Sequence, residues 1–323
     1  MVVPGGGLGN EKVKPMAKIH CVGALVVDLL NGPIKQYPVP KVQSQITTEW
    51  IRMAPGGGAA NTPSALARMG VAVTAFSKVG NDPNGSFILN ELKLAGVDTT
   101  GVCVSDKDST PFTFVGVHAD GDRTFIHTPG ANVTFNLADI ELDRVLDCKY
   151  LLYQDVWVLP GFDGKPAATL LEEARRRGVT TFLDEAFGYG PKRETFEPML
   201  PFCDYVMPSF DDMQAIYPNS SASDLADRLL GLGAGAVVIK MGPKGCFVAH
   251  AGTRIQVPAY PANVVDTTGA GDCWDAGFIT SLSRGKDPVT AAKIGCGCAA
   301  FGIEAVGGAK GVPHYDTVCQ RAL

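Results

Sequence analysis

The sequence predicts an α/β fold, a mostly parallel sheet doubly wound by helices, with a smaller sheet outside it. Three observations predict this. From about residue 150 onward, strand-like and helix-like segments alternate at the spacing of βα units. Several strand candidates are dense runs of aliphatic and β-branched residues, as expected when both faces of a strand are buried. Residues 111–132 have a different texture, polar and apolar in strict alternation around "ADGD", which is a hairpin with one wet face.

The elements follow in order. "MVVPGGGLGNEKVKP" lacks the apolar core of a signal peptide and reads as a flexible leader over 1–17, with Met16 an alternative start. "KIHCVGALVVDLL", 18–30, reads as one buried strand with Asp28 at its C-terminal end. "QSQITTEWIRMAP", 43–55, alternates like a half-exposed strand. "GGGAANTPSALARMG", 56–70, is a glycine turn entering a helix that closes at Gly70. "VAVTAFSKVG" is a strand and "GSFILNELKLAG" a helix. After the hairpin come "KYLLYQDV", "GKPAATLLEEARRRG", "VTTFLDEA", "CDYVMPS", "FDDMQAIY", "ASDLADRLLGLG", "AGAVVIKMG" and "GCFVAHA", strands and helices in turn. "VPAYPANVVDTT" is strand-like. "GDCWDAGFITSLSRG" and "PVTAAKIGCGCAAFGIEAVGG" are the closing helices.

Bulk properties narrow the function. The chain has 323 residues, 46% hydrophobic and 19% charged, enough for a large core. A net charge of −5 argues against a nucleic-acid or anionic-membrane partner. No run of 18 apolar residues occurs, so no spanning helix is expected. The nine cysteines include no CxxC, and buried reduced thiols in a reducing cytoplasm fit them better than zinc or disulfides.

Ligands of such sheets bind beyond the carboxyl ends of the strands. That draws attention to Asp28, Gly56 to Asn61, Asp155, Asp184, Ser209 to Asp212, Lys240 to Gly242, and "VDTTGAGDCWDAG", 265–277. Other glycine-rich stretches fail the order strand, glycine turn, helix: "GGGLGN" precedes the first strand, and "GLGAGA" runs from a helix end into a strand. No GxxxxGK[ST] is present. "DTTGAGD" has the required order. Gly269 and Gly271 leave backbone N–H groups uncovered at a helix start, which carries about half a positive charge. Asp272 in the first turn is compatible with two roles. It can be a helix cap, or a general base that takes the proton of an attacking hydroxyl while the N–H groups hold charge developing on a phosphoryl group. Spacing alone leaves both open.

"DTTGAGD" closely resembles the second signature of the ribokinase-like, PfkB-type family of carbohydrate kinases, and "PGGGAANTPSALARMG" its first. The resemblance runs over about 18–315: "ADGDRTFIHTPGAN" is similar to the family's lid hairpin, "MPSFDDM" to its phosphate and magnesium motif, "IKMGPKGCF" to its nucleotide-binding strand pair, and "VGGAKGVP" to its C-terminal loop. The resemblance implies a three-layer αβα fold over 18–323 with a central sheet of about eight or nine strands. It also implies a β-sheet lid from about 34–54 and 110–129, and a homodimer formed through that lid.

Residue by residue, the resemblance implies a sugar bound by Asp28, Gly56, Gly57, Asn61 and Asn132, with Asp155 and Asp184 nearby. Asp272 would be the base, with Gly269, Ala270 and Gly271 as the anion hole. Ser209, Lys240, Gly242 and Gly245 would lie along ATP. Asp212 would orient Mg²⁺ through water, with Asp211 a competing carboxylate. Asp266 and the Thr268 carbonyl would hold a monovalent cation, K⁺, with carbonyls of the 302–307 loop. The chain departs from the family at Ser209 and Asp212, where Asn and Glu are usual, and at Gly311, where a serine is common. The implied function is ATP-dependent phosphorylation of a small sugar at a primary hydroxyl. Only Lys192 and Arg193 follow Asp184 as cations, which favours a neutral sugar. The rivals are a nucleoside kinase, for which Phe114, Phe125 and Trp157 could shape a base slot, and a non-catalytic sugar or nucleotide sensor. No dinucleotide fingerprint follows the first strand, which disfavours an oxidoreductase.

Overall fold

A computed structural model describes residues 18–35, 47–119, 123–186, 188 and 190–323. The leader 1–17, the part of the first lid segment over 36–46 and the hairpin turn 120–122 lie outside the described residues.

In chain order the elements are β1 (Ile19–Val22), β2 (Val26–Ile34), β3 (Trp50–Gly56), α1 (Gly58–Arg68), β4 (Val73–Gly80), α2 (Pro83–Leu94), β5 (Asp98–Ser105), β6 (Phe112–His118) and β7 (Arg123–Thr128). Then follow α3 (Leu142–Val145), β8 (Tyr150–Val156), α4 (Lys165–Arg176), β9 (Thr180–Glu185), α5 (Arg193–Phe196), β10 (Tyr205–Val206), α6 (Phe210–Ile216), α7 (Ala222–Gly231), β11 (Ala236–Lys240), β12 (Cys246–His250), β13 (Thr253–Val257), α8 (Ala270–Ser283), α9 (Pro288–Gly302) and α10 (Tyr315–Ala322).

Nine strands form the main sheet in the order β13-β12-β11-β10-β9-β8-β1-β4-β5, parallel except where β12 meets β11 and β13. Two cores flank it. Ile19, Cys21, Leu152 and Val238 pack with α1, α2, α8 and α9 on one face, while Val22, Leu151, Tyr153, Val237 and Ile239 pack with α4 and α7 on the other. Neighbouring residues of one strand thus enter opposite cores, which is why these strands read as unbroken apolar runs. Helix ends follow local chemistry: Asp82 caps α2 ahead of Pro83, Ser221 and Asp224 form a capping box on α7, and Asp287 caps α9.

The second sheet has the order β3-β2-β6-β7. Directly opposed residues share a face, so register sorts them. Ala54, Asp28, Thr113 and His127 form one cross-strand row, and Met53, Leu29, Phe114 and Ile126 the next, on the opposite face. The hairpin over 111–132 is present as β6 and β7.

Two sequence expectations are corrected. Residues 18–30 are not one strand. The chain turns at Gly23–Leu25, and Asp28 sits inside β2 of the second sheet, which therefore begins at Val26 rather than near 34. The apolar run conceals the turn because both halves are buried. "VPAYPANVVDTT" is not a strand either. β13 ends at Val257, and residues 258–269 are a loop. Pro258 and Pro261 remove the ladder donors that a continued strand would need. β5, β13, α3, α5 and α10 were not anticipated.

Candidate active site

The turn between β1 and β2 is fixed by Asp155 at the end of β8. Its carboxylate accepts the Ala24 N–H at 2.8 Å and the Gly58 N–H at 3.1 Å, and the Ala59 N–H donates to the Ala24 carbonyl at 3.1 Å. The first turn of α1 is thereby joined to the entry of the lid. Asp155 itself holds φ 63°, a conformation that costs a non-glycine residue energy and is found where surroundings enforce it. Burial, then the Asp272 charge, push its carboxyl up to about 8 against the two N–H bonds. Asp155, expected near the sugar, is committed to backbone.

Asp28 reaches from β2 to face Gly56 at the end of β3, where a side chain would strike its carboxylate. Burial raises its carboxyl to about 6; a Thr113 hydrogen bond works the other way and Asp266 adds to the rise. Thr113 also contacts His127 Nδ1 at 3.0 Å. Thr113 and His127 were not identified from the sequence, and only the register of the lid strands exposes them. Asn132 is fully buried; its amide donates to the Leu25 carbonyl at 3.4 Å, and its Oδ1 has no donor among the described residues.

Helix α8 starts at Gly269, which holds φ 72°. A Cβ there would lie 3.1 Å from Gly308 Cα and 3.2 Å from Asn61 Nδ2, so both conformation and space call for glycine. The helical ladder begins with Cys273 N–H to the Gly269 carbonyl at 2.9 Å, which leaves the N–H groups of Gly271 and Asp272 ahead of it. The Ala270 N–H donates to the Thr267 carbonyl at 3.2 Å, so of the three anion-hole residues Ala270 is the one already engaged.

The Asp272 carboxylate accepts Asn61 Nδ2 at 2.9 Å and Thr62 Oγ1 at 3.3 Å. Thr62 Oγ1 also lies 2.9 Å from Gln154 Oε1. Burial pushes the Asp272 carboxyl above the ordinary range and Asp184 adds to this, while Asn61, Lys240 and Thr62 oppose it. Asn61, expected on the sugar, thus holds the candidate base, and Thr62 was missed.

Lys240 ends β11, and its ammonium lies 2.7 Å from Asp184 Oδ2 and 3.3 Å from Asp275 Oδ1. It is not a surface lysine. Gly242 is exposed and Gly245 buried on the β11–β12 turn. Ser209 caps α6: its hydroxyl accepts the Asp212 N–H at 3.0 Å and donates to Asp212 Oδ2 at 2.8 Å. The Ser209 N–H donates to Glu185 Oε1 at 2.6 Å. Asp211 is exposed, away from this arrangement.

Asp266 is buried and clamps two loops, accepting the Thr268 N–H at 2.9 Å and the Gly307 N–H at 3.1 Å. The Ile303 carbonyl accepts the N–H groups of Val265 and Asp266. A side chain on Gly311 would strike the Phe301 carbonyl, so a serine there would require this loop to shift.

A parallel sheet whose strand ends meet a glycine-started helix, with a small β sheet beside them, is an arrangement suited to binding a small molecule. Residues 16–314 match the profile of the pfkB family carbohydrate kinases, and the chain belongs to that family, whose members are phosphotransferases. It is 27% identical over 273 residues to a ribokinase of Staphylococcus aureus (strain COL), covering 82% of this chain and 87% of that one. It is 28% identical over 326 residues to a 5-dehydro-2-deoxygluconokinase of Geobacillus thermodenitrificans (strain NG80-2), covering 96% and 94%. The Arabidopsis thaliana ribokinase solved with ribose and ATP has the same fold, with TM-score 0.83 at 22% identity over 95% of this chain and 99% of that one. Among the described residues no helix is long and apolar enough to cross a membrane.

Proposed function

We propose that the protein is an ATP-dependent sugar kinase that moves the γ-phosphoryl group of Mg-ATP to a primary hydroxyl of a small neutral carbohydrate, with Asp272 as general base. The Asp272 carboxylate carries this reading. It stands in the first turn of α8 beside uncommitted first-turn N–H groups, and Asn61 and Thr62 aim it. A cap alone would turn its oxygens onto its own helix start; here they are met by side chains of α1.

Asp28 and the Asn132 Oδ1 accept sugar hydroxyls, with Gly56 and Gly57 letting the ring approach the backbone. Asp272 takes the proton of the attacking hydroxyl as its oxygen bonds to phosphorus, and ADP departs in line. The N–H groups of Gly269, Gly271 and Asp272 receive the charge on the transferring oxygens. Lid closure excludes water and limits idle hydrolysis. Gly242 and Gly245 shape the nucleotide side. The corner around Asp212 suits a hard divalent cation, because Glu185 Oε2 is buried there with no donor among the described residues and faces the Asp212 carboxylate. Bound there, Mg²⁺ supplies charge neutralisation on the phosphates. K⁺ at Asp266 and the Thr268 carbonyl is part of the reading, as is a cytoplasmic location, which the nine free cysteines suit.

Arg193 cannot serve a sugar acid as placed, since its Nε donates to the Ile216 carbonyl and it stacks over Tyr217. Trp157, a candidate wall for a nucleoside base, is buried against Phe196 with its Nε1 bonded to the Lys192 carbonyl. Phe114 lies on the lid face opposite Asp28. Phe125, by contrast, shares the Asp28 face and is 61% exposed, so of the three aromatics it is the one open to a base, while the placements of Arg193, Trp157 and Phe114 support a neutral sugar. The test is ADP release over pentoses, hexoses, sugar acids and nucleosides, with and without K⁺. A strong preference for nucleosides, or ATP consumption with no acceptor found, would sink the reading.

Two expected results accompany it. Asp28 recognises hydroxyls as a carboxylate, so protonation near pH 6 weakens recognition. The sugar KM is expected to rise about tenfold per pH unit below that point, and Asp28→Asn to have a high KM without this dependence. A flat wild-type KM from pH 5 to 8 would remove Asp28 from sugar recognition. The lid face bearing Leu29, Ile51, Met53, Phe114 and Ile126 is apolar, and Ile51 and Ile126 are 61% and 64% exposed. The second copy in a homodimer covers it, and Met53→Glu with Ile126→Glu is expected to give monomers by light scattering. A monomeric wild type refutes the dimer.

A further inference from the structure

The proposed function places a phosphoryl group over the first turn of α8, and the structure puts a hidden cation under that turn. A Cβ built on Gly271 would lie 3.3 Å from Lys240 Nζ. The ammonium therefore rests directly beneath the glycine backbone. It is held there from both sides, 2.7 Å from Asp184 on β9 and 3.3 Å from Asp275 on α8. The three side chains are 12%, 7% and 0% exposed, respectively, for Lys240, Asp184 and Asp275. Asp275 follows Asp272 by three residues, so base and ion cluster occupy adjacent positions on one helix face.

We propose that Lys240, pinned under Gly271 by Asp184 and Asp275, is a positioning residue of the phosphoryl-transfer site that sets the electrostatic field at Asp272 and the anion hole, and is not a phosphate ligand. This rests on Asp272 being the base. A full charge that cannot reach the nucleotide still acts through a thin layer of low-dielectric backbone. The lysine has no freedom to swing out, because leaving would strand two buried carboxylates.

The charged groups facing Asp272 are few among the described residues: Asp155 from β8, Asp184 from β9, Lys240 from β11 and Asp275 from its own helix, with the thiols of Cys21 and Cys273. Lys240 favours the ionised base and Asp184 opposes it. Asp184 and Asp275 lie close enough to hydrogen-bond each other as well as flank the ammonium. Burial disfavours the ammonium, but Asp184, Asp275 and Glu185 outweigh it and hold Lys240 protonated.

The cluster makes opposite demands on two substitutions. In Lys240→Met the acid limb of the kcat–pH profile is expected to move up by about one pH unit, and in Asp184→Asn down by a similar amount. The KM for ATP in Lys240→Met stays within about threefold of wild type. A tenfold or larger rise in that KM with the limb unmoved makes Lys240 a phosphate ligand and overturns the proposal. Limbs unmoved in both variants make the cluster purely structural and also overturn it. If Lys240→Met does not fold, Lys240→Met with Asp275→Asn removes the pair together and leaves Asp184 unopposed. Its limb then moves up, and a limb in the wild-type place overturns the proposal. Asp272→Asn run alongside separates the two ideas. If it is inactive and the limbs do not move, only the field proposal falls; if it turns over normally, the base assignment fails and takes the proposal with it.

Discussion

Asp272→Asn is expected to lower kcat by about 10²- to 10⁴-fold, the usual contribution of a general base, while sugar and ATP affinities stay within about threefold. Asparagine is close to isosteric with aspartate, and its neighbours tolerate the exchange. Asn61 Nδ2 can still donate to the amide oxygen, and the Thr62 hydroxyl, which donates to Asp272 in the wild type, can accept from the amide nitrogen. The start of α8 at Gly269 does not depend on this carboxylate, because no side-chain bond caps that helix. The substitution therefore removes proton acceptance with little else. Steady-state kinetics with calorimetric binding of each substrate separates the two effects. Turnover within a few-fold of wild type would return Asp272 to a role in helix geometry.

Asp155→Ala is expected to cost about 2–4 kcal/mol in urea unfolding at pH 6. It leaves two buried backbone N–H groups, Ala24 and Gly58, without their acceptor. Relief of the φ 63° strain does not follow, since alanine in that conformation is strained as well. The sugar KM should rise by about tenfold or more, because the link from α1 to the lid entry is what sets Gly56 opposite Asp28.

The pH dependence has a definite sign. Asp155 keeps its proton in the folded state up to about pH 8, whereas a carboxyl in the unfolded chain releases it near 3.9. Its contribution is fully present below about pH 4 and is lost progressively as pH rises through 8. The stability gap between wild type and Asp155→Ala should therefore narrow from pH 5 to pH 9. A gap that widens over that range would show that the carboxylate form is the one the fold uses.

Much of the candidate site was legible because it is local. A glycine that must take a positive φ, a carboxylate in the first turn of a helix and a polar residue at the start of α1 are all properties of short segments. "DTTGAGD" and "PGGGAAN" therefore displayed Gly269, Gly271, Asp272 and Asn61 directly. The alternation over 111–132 likewise displayed a sheet with two unlike faces. Where the reading went astray, the cause was burial without a periodic mark. Residues 18–30 hid the turn at Gly23–Leu25 because what stabilises it is Asp155, more than 120 residues later. The loop over 258–269 looked strand-like from its apolar residues, but Val264 and Val265 are exposed and the Val265 and Asp266 N–H groups bond to the Ile303 carbonyl rather than to a ladder.

By itself, the sequence determined the doubly wound sheet, the lid hairpin, the glycine-started helix and the carboxylate it presents, since periodicity and backbone preference act between near neighbours. Only the tertiary structure decided what that carboxylate meets. Asn61 and Thr62 arrive from α1, Lys240 comes from beneath with Asp184 and Asp275, and Asp28 is turned onto Gly56 by the lid. Those assignments depend on Coulomb and hydrogen-bond partners that approach through space from distant strands, and hydrophobic patterning along one chain carries no record of them.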